Sequence, residues 1–108
     1  MEQRKYPRIK TRIVAEVNSK QAILENISRE GIKVKLWADA VPQDQDVEIV
    51  FNVGKKSMKL KGVVCWCKRD KYSFQDLKEM GLLLENPPEE YFEFIDTLSP
   101  NRGAALRI

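Results

Sequence analysis

At 108 residues with 43% hydrophobic side chains, the chain has the size of one domain with one core, and no stretch approaches the roughly 20 apolar residues of a bilayer-spanning helix. Its start is charged rather than basic followed by an apolar run, so the expected location is the cytoplasm, without membrane insertion. A net charge of +3 is too small for the whole molecule to seek polyanions, and no histidine accompanies the two cysteines, so thiolate and imidazole cannot assemble four zinc ligands.

The first periodic signal is Ile9-Lys10-Thr11-Arg12-Ile13, continued through Ala15 and Val17 with the odd positions apolar, which predicts a half-buried strand. Asn18-Ser19-Lys20 is a turn, and Gln21 to Ile27 returns as a second strand in a hairpin. A third strand is expected over Ile32 to Leu36, with Ile32, Val34 and Leu36 inward and Lys33 and Lys35 outward. Ala40 to Asp46 reads as a loop, Val47 to Val53 as a fourth strand, and Gly54 to Ser57 as the turn of a second hairpin.

Met58 to Lys68 follows as a long strand, with Met58, Leu60, Val64 and Trp66 expected on one face and Gly62 marking a bulge or a close approach. Arg69 to Asp76 is a polar loop and Met80 to Leu84 a sixth, short strand. Pro87-Pro88 stops the sheet, and Pro88, Glu89 and Glu90 suit the first turn of a helix. In that helix Tyr91, Phe92, Ile95 and Leu98 recur at helical spacing and supply an apolar face for the barrel mouth or a partner, with core packing the expected role. Residues 1–98 form the expected domain and residues 99–108 a mobile tail. Short strands at regular spacing and one helix predict an all-β fold, a small six-stranded antiparallel β-barrel with a C-terminal α-helix.

Charge is unevenly distributed. Residues 1–12 carry +4, residues 55–71 carry +6 and residues 72–98 carry −6, a polarity suited to steering a small anion or a protein partner. Cys65 and Cys67 lie two apart in a strand-like run, where their side chains would share a face with Cα atoms roughly 6.6 Å apart. A disulfide there would be strained, so reduced structural thiols are expected. Trp37 and Trp66 are read as core or rim residues, Trp37 also as a candidate for a partner surface.

Two polar clusters stand out: Arg4-Lys5-Tyr6-Pro7-Arg8 before the first strand, and Asn26-Ile27-Ser28-Arg29-Glu30-Gly31 at the turn into the third. Arginines four apart can clamp phosphate and stack on a purine, and a short polar turn ending in glycine can face a base edge. Asn26 offers both a carbonyl and an amide, Ser28 a hydroxyl that can reach a phosphate or brace the turn, and Gly31 a positive-φ backbone that brings the chain close to ligand or strand. No nucleophile has a base nearby in sequence and no glycine-rich phosphate loop opens a helix, so an enzyme is not expected.

The combination of RxxxR at Arg4 and Arg8 with NxSxxG at Asn26, Ser28 and Gly31, on a six-strand pattern, resembles the PilZ domain, the bacterial receptor module for cyclic di-GMP. The resemblance extends from about residue 4 to 98, with Gly62 to Trp66 and Met80 to Leu84 similar to the closing strands and Tyr91 to Leu98 to the C-terminal helix. It implies cyclic di-GMP as ligand, with no metal and no other cofactor, held by Arg4, Arg8, Asn26, Ser28 and Gly31, with Lys5 and Arg12 as secondary candidates. Each guanine presents O6 and N7 acceptors that a guanidinium fork matches.

The expected mechanism is an N-terminal arm that folds across the barrel when two phosphates draw it in, so that a downstream protein reads the new surface in motility, adhesion or biofilm control. That adaptor role is expected because the sequence shows no catalytic domain beside the barrel. Two other readings compete: a barrel of this kind that serves as a scaffold without ligand, and a small nucleic-acid-binding barrel using the basic stretch at 55–71. Against the latter, the aromatics mostly fall at inward positions and residues 72–98 are acidic, so neither DNA nor RNA is the expected partner.

Overall fold

A computed structural model describes residues 8–37, 43–69 and 77–98. Arg4, Lys5, Tyr6, Pro7 and the tail at 99–108 lie outside the described residues, as do parts of the two predicted polar loops.

Six strands, β1 (Ile9–Val17), β2 (Lys20–Ile27), β3 (Gly31–Leu36), β4 (Asp46–Val53), β5 (Lys56–Arg69) and β6 (Lys78–Glu85), precede one helix, α1 (Glu89–Leu98), among the described residues. All neighbouring strands are antiparallel, and the order β1-β2-β3-β6-β5-β4 closes into a barrel where β1 meets β4 through Ala15–Phe51, Glu16–Val50 and Val17–Ile49. Closure leaves few edges to template association.

Hydrophobic alternation sets the register. Val17, Ala22, Leu24, Ile27, Val34, Leu36, Ile49 and Val64 are fully withdrawn from solvent, each contributing on the order of 1.5–3 kcal/mol by burial for the larger side chains. A one-residue slip would turn these side chains outward, so the pairing is strongly specified. The β1–β2 hairpin turns through Asn18 and Ser19, both at positive φ (52° and 67°), the two-residue geometry that follows strand twist. Asn18 also joins the hairpin to β4: its N–H donates to the Glu48 carbonyl and its Oδ1 accepts from the Glu48 N–H, both at 2.9 Å.

The helix α1 begins directly after Pro87-Pro88 with Glu89 and Glu90 in its first turn, where their charge favours the helix dipole. Tyr91 and Ile95 are buried in the core and Phe92, Phe94 and Leu98 pack around them, so the apolar face meets the barrel mouth as its spacing predicts. The Phe94 ring tilts against Phe51 with centroids 5.7 Å apart.

A bulge in β5 corrects two local readings, and the approach of β6 corrects a third. In β5 the pairing passes from Val64–Leu82 to Trp66–Gly81, so Cys65 is an extra, unpaired residue. This bulge reverses the alternation beyond it: Trp66 leaves the face of Met58, Leu60 and Val64 and lies over Gly81, where an added Cβ would fall within the indole. Cys65 stays exposed while Cys67 turns to pack on the core, so the cysteines do not share a face; both are free thiols. Gly62 marks a close approach instead of the bulge, since a Cβ there would stand 2.9 Å from the Leu83 carbonyl oxygen. Gly31, expected at positive φ, lies in β3 without it; a Cβ there would sit 2.9 Å from the Leu82 carbonyl oxygen, so the glycine serves the approach of β6.

Candidate functional site

The two motif clusters, far apart in sequence, converge through the register of β1 on β2. Ile9 pairs with Ile27 and Lys10 with Asn26, so Arg8, exposed just before β1, emerges beside the turn at Ser28–Gly31. That turn is braced internally. Ser28 is only 2% exposed; its Oγ accepts from the N–H of Gly31 (3.1 Å) and of Glu30 (3.3 Å) and donates to the Gly31 carbonyl (3.2 Å). The backbone closes it with the Ser28 N–H donating to Gly31 O at 2.8 Å. Of the two roles open to the hydroxyl, these bonds occupy it with bracing.

Two residues of the turn, Ser28 and Arg29, are tied to α1. The Tyr91 hydroxyl donates to the Ser28 carbonyl at 2.6 Å, and Arg29 lies 4.3 Å above the Phe92 ring with a nitrogen 3.8 Å from the Asp96 carboxylate. The Tyr91 phenol is pushed well above its ordinary range by burial, so it is a fixed donor.

Outside β1–β3 the side chains form a shallow depression of about 390 Å³ lined by residues including Lys10, Arg12, Glu25, Asn26, Lys33 and Lys35. Its shape comes from two coincident bulges. On the β1 side Thr11 and Arg12 together face Glu25, between the pairs Lys10–Asn26 and Ile13–Leu24. Thr11 fills the interrupted ladder, its Oγ1 donating to the Leu24 carbonyl at 2.7 Å. On the β3 side Glu25 is the extra residue between Leu24–Val34 and Asn26–Lys33, so Glu25 and Asn26 are consecutive yet both half-buried on the outer surface, while Leu24 and Ile27 remain in the core.

An ion-pair chain crosses this face: Lys35 lies 3.1 Å and Lys33 3.5 Å from Glu25, Lys33 lies 3.7 Å from Glu79, and Lys68 lies 3.6 Å from Glu79 with its ammonium 5.5 Å from the Trp66 ring centre. Asn26 Oδ1 and Glu25 Oε1 are both buried acceptors without a hydrogen bond among the described residues. For Glu25 Oε1, the Lys33 ammonium at 3.5 Å is a neighbouring charge that lacks hydrogen-bond geometry.

The structure therefore brings Arg8, Asn26, Ser28 and Gly31 together and puts Arg12 on the rim; Arg4 and Lys5 lie outside the described residues. Lys10, Glu25, Lys33 and Lys35 line the same face although no motif marks them. Outward alternation locates the lysines, but only the bulge adds Glu25. Among the described residues no cluster of acidic, cysteine or histidine side chains could hold a metal, and burial pushes the Cys67 thiol up, against the lowering effect of Lys78, making it a poor nucleophile. No helix among those residues is long and apolar enough to cross a membrane.

The chain is a closed antiparallel barrel with a helix packed across its mouth and a basic face beside an Asn-x-Ser-x-x-Gly turn, a class of small β-domain. The sequence profile of the PilZ domain matches residues 2–97, and the chain belongs to that family of cyclic di-GMP receptor domains. Its fold is similar to that of the Bacillus subtilis inhibitor of motility (MotI/DgrA), with a TM-score of 0.69 at 16% identity. The match covers 83% of this chain and 46% of that one, so the present chain corresponds to about half of that protein. No curated protein sequence matches.

Proposed function

We propose that this chain binds cyclic di-GMP on the outer face of β1–β3, where Arg8, Asn26 and the Ser28–Gly31 turn form the inner contacts and Arg4, Lys5 and Arg12 approach from the arm and rim. The observation that carries this reading is the pairing of Lys10 with Asn26, which sets the base of the arginine arm against a turn whose neighbouring acceptor, Asn26 Oδ1, is buried and has no hydrogen bond among the described residues. Burying such a group costs about 1–3 kcal/mol unless a donor reaches it, and a purine supplies donors. Arg8 and Arg4 supply the planar, permanently charged forks that match phosphate and the guanine O6 and N7 atoms. Ser28 acts by holding the turn and Gly31 by letting β6 approach.

The ties from Ser28 and Arg29 to α1 support a second element of the proposal. A displacement of the turn on binding is handed to the helix, whose outer surface a protein partner would read. Motility control is the process to test first, because the structural relative is described as an inhibitor of motility.

Calorimetric titration with cyclic di-GMP tests binding directly. Saturable heat in the parent, reduced about tenfold or more in affinity by Arg8→Ala, is the expected result, given ~1.5–3 kcal/mol for a charge-assisted contact. No heat in the parent, or equal affinity in the variant, overturns the assignment.

A further inference from the structure

We infer that Glu25, which lies outside the two sequence motifs, is a base-reading residue of this face: its carboxylate accepts from the N–H edge of a guanine and makes the site discriminate against adenine. The inference rests on the cyclic di-GMP reading above and names the origin of its specificity.

The β2 bulge is the starting point. In an unbroken strand Glu25 and Asn26 would project to opposite sides, one of them into the core. The extra residue between Leu24–Val34 and Asn26–Lys33 instead sets both on the outer surface, and both line the depression beside Lys10 and Arg12. The same two residues carry the only buried side-chain oxygens without a hydrogen bond among the described residues, Glu25 Oε1 and Asn26 Oδ1. Two such acceptors, on consecutive residues that line a surface depression, call for a ligand with two adjacent donors.

Guanine has that edge: N1–H and the N2 amino group lie next to each other, on the side of the ring away from N7. Adenine carries an acceptor at N1 and no amino group at C2, so the same pose would set its ring-nitrogen lone pair against an oxygen. The surrounding cations do not supply what is missing. Lys33 stands 3.5 Å from Oε1 without hydrogen-bond geometry, and Lys35 is at 3.1 Å from the other oxygen, Oε2, so the carboxylate is held in place by its flanks with Oε1 left to accept. The ammonium groups also offset the carboxylate's repulsion toward a phosphate arriving at the same face.

The test is a pair of titrations, cyclic di-GMP and cyclic di-AMP, on the parent, Glu25→Gln and Glu25→Ala, with the melting temperature followed in each. The parent is expected to favour the guanine dinucleotide by about tenfold or more, the scale of one well-made base contact. In Glu25→Ala that preference collapses, and in Glu25→Gln it narrows, because an amide can turn a donor toward the base. Equal loss of affinity for both dinucleotides would mean that Glu25 only positions Lys33 and Lys35, and would overturn the inference while leaving the binding proposal standing. An unchanged ratio in both variants overturns it as well. Absence of binding by the folded parent removes the proposal and the inference together.

Discussion

The Tyr91 hydroxyl lies 2.6 Å from the Ser28 carbonyl oxygen, a buried bond between residues 63 positions apart that fastens α1 to the turn of the second motif. Both partners are withdrawn from water, Tyr91 completely. The bond therefore anchors the helix and also fixes the backbone on which the candidate site is built.

Removing that hydroxyl leaves the Ser28 carbonyl without its donor. Tyr91→Phe is expected to lower stability by about 1–2 kcal/mol, read as a lower midpoint in urea with an unchanged slope. A variant as stable as the parent would show that water replaces the bond without cost.

The same phenol gives the protein a pH dependence. Burial raises the Tyr91 pKa in the folded state above the ordinary phenol value of 10.0. The unfolded chain then releases this proton first, so the stabilisation is intact below about pH 10 and declines as pH rises above it. Comparing urea midpoints of parent and Tyr91→Phe between pH 8 and about 11 checks the sign, and the gap between the two should narrow at the alkaline end.

Gly81 supports Trp66. A methyl group at that position would occupy the space of the indole, so Gly81→Ala should drive the ring outward and cost about 1–3 kcal/mol as an overpacking substitution. The expected observations are a lower melting temperature and a red-shifted tryptophan emission. Trp37, already exposed at the end of β3, provides a constant background.

Thr11 closes the interrupted ladder at the β1 bulge through its bond to Leu24 O. Thr11→Val keeps the shape but loses the donor, and is expected to cost about 1 kcal/mol and to broaden the amide resonances of residues 24–26. Cyclic di-GMP affinity should fall with it, since the β1 bulge lies directly opposite Glu25, whose own β2 bulge sets it beside Asn26 on the outer surface. Retained affinity with sharp resonances would show that the bulge holds itself.

Much of the architecture was legible along the chain because period-two alternation is a one-dimensional signal. Ile32, Val34 and Leu36 declare their faces without knowledge of their neighbours, and Tyr91 and Ile95 declare theirs at helical spacing. The arginine and Asn-x-Ser-x-x-Gly clusters were legible as chemistry, and the register of β1 on β2 makes Arg8 and the turn neighbours. Gly31 shows the limit of such reading. Its identity signals that a side chain is unwelcome, but whether the reason is a positive φ or an approaching strand depends on β6, which arrives from residue 82.

Sequence alone determined the alternating strands and the amphipathic helix, because each depends on local spacing, and it supplied the residue types proposed to meet a charged guanine dinucleotide through their side-chain chemistry. Tertiary structure alone decided the sidedness of Glu25 with Asn26 and of Trp66 against Cys67. A bulge is a mismatch between two paired strands, and no single strand carries the information that its partner is one residue short.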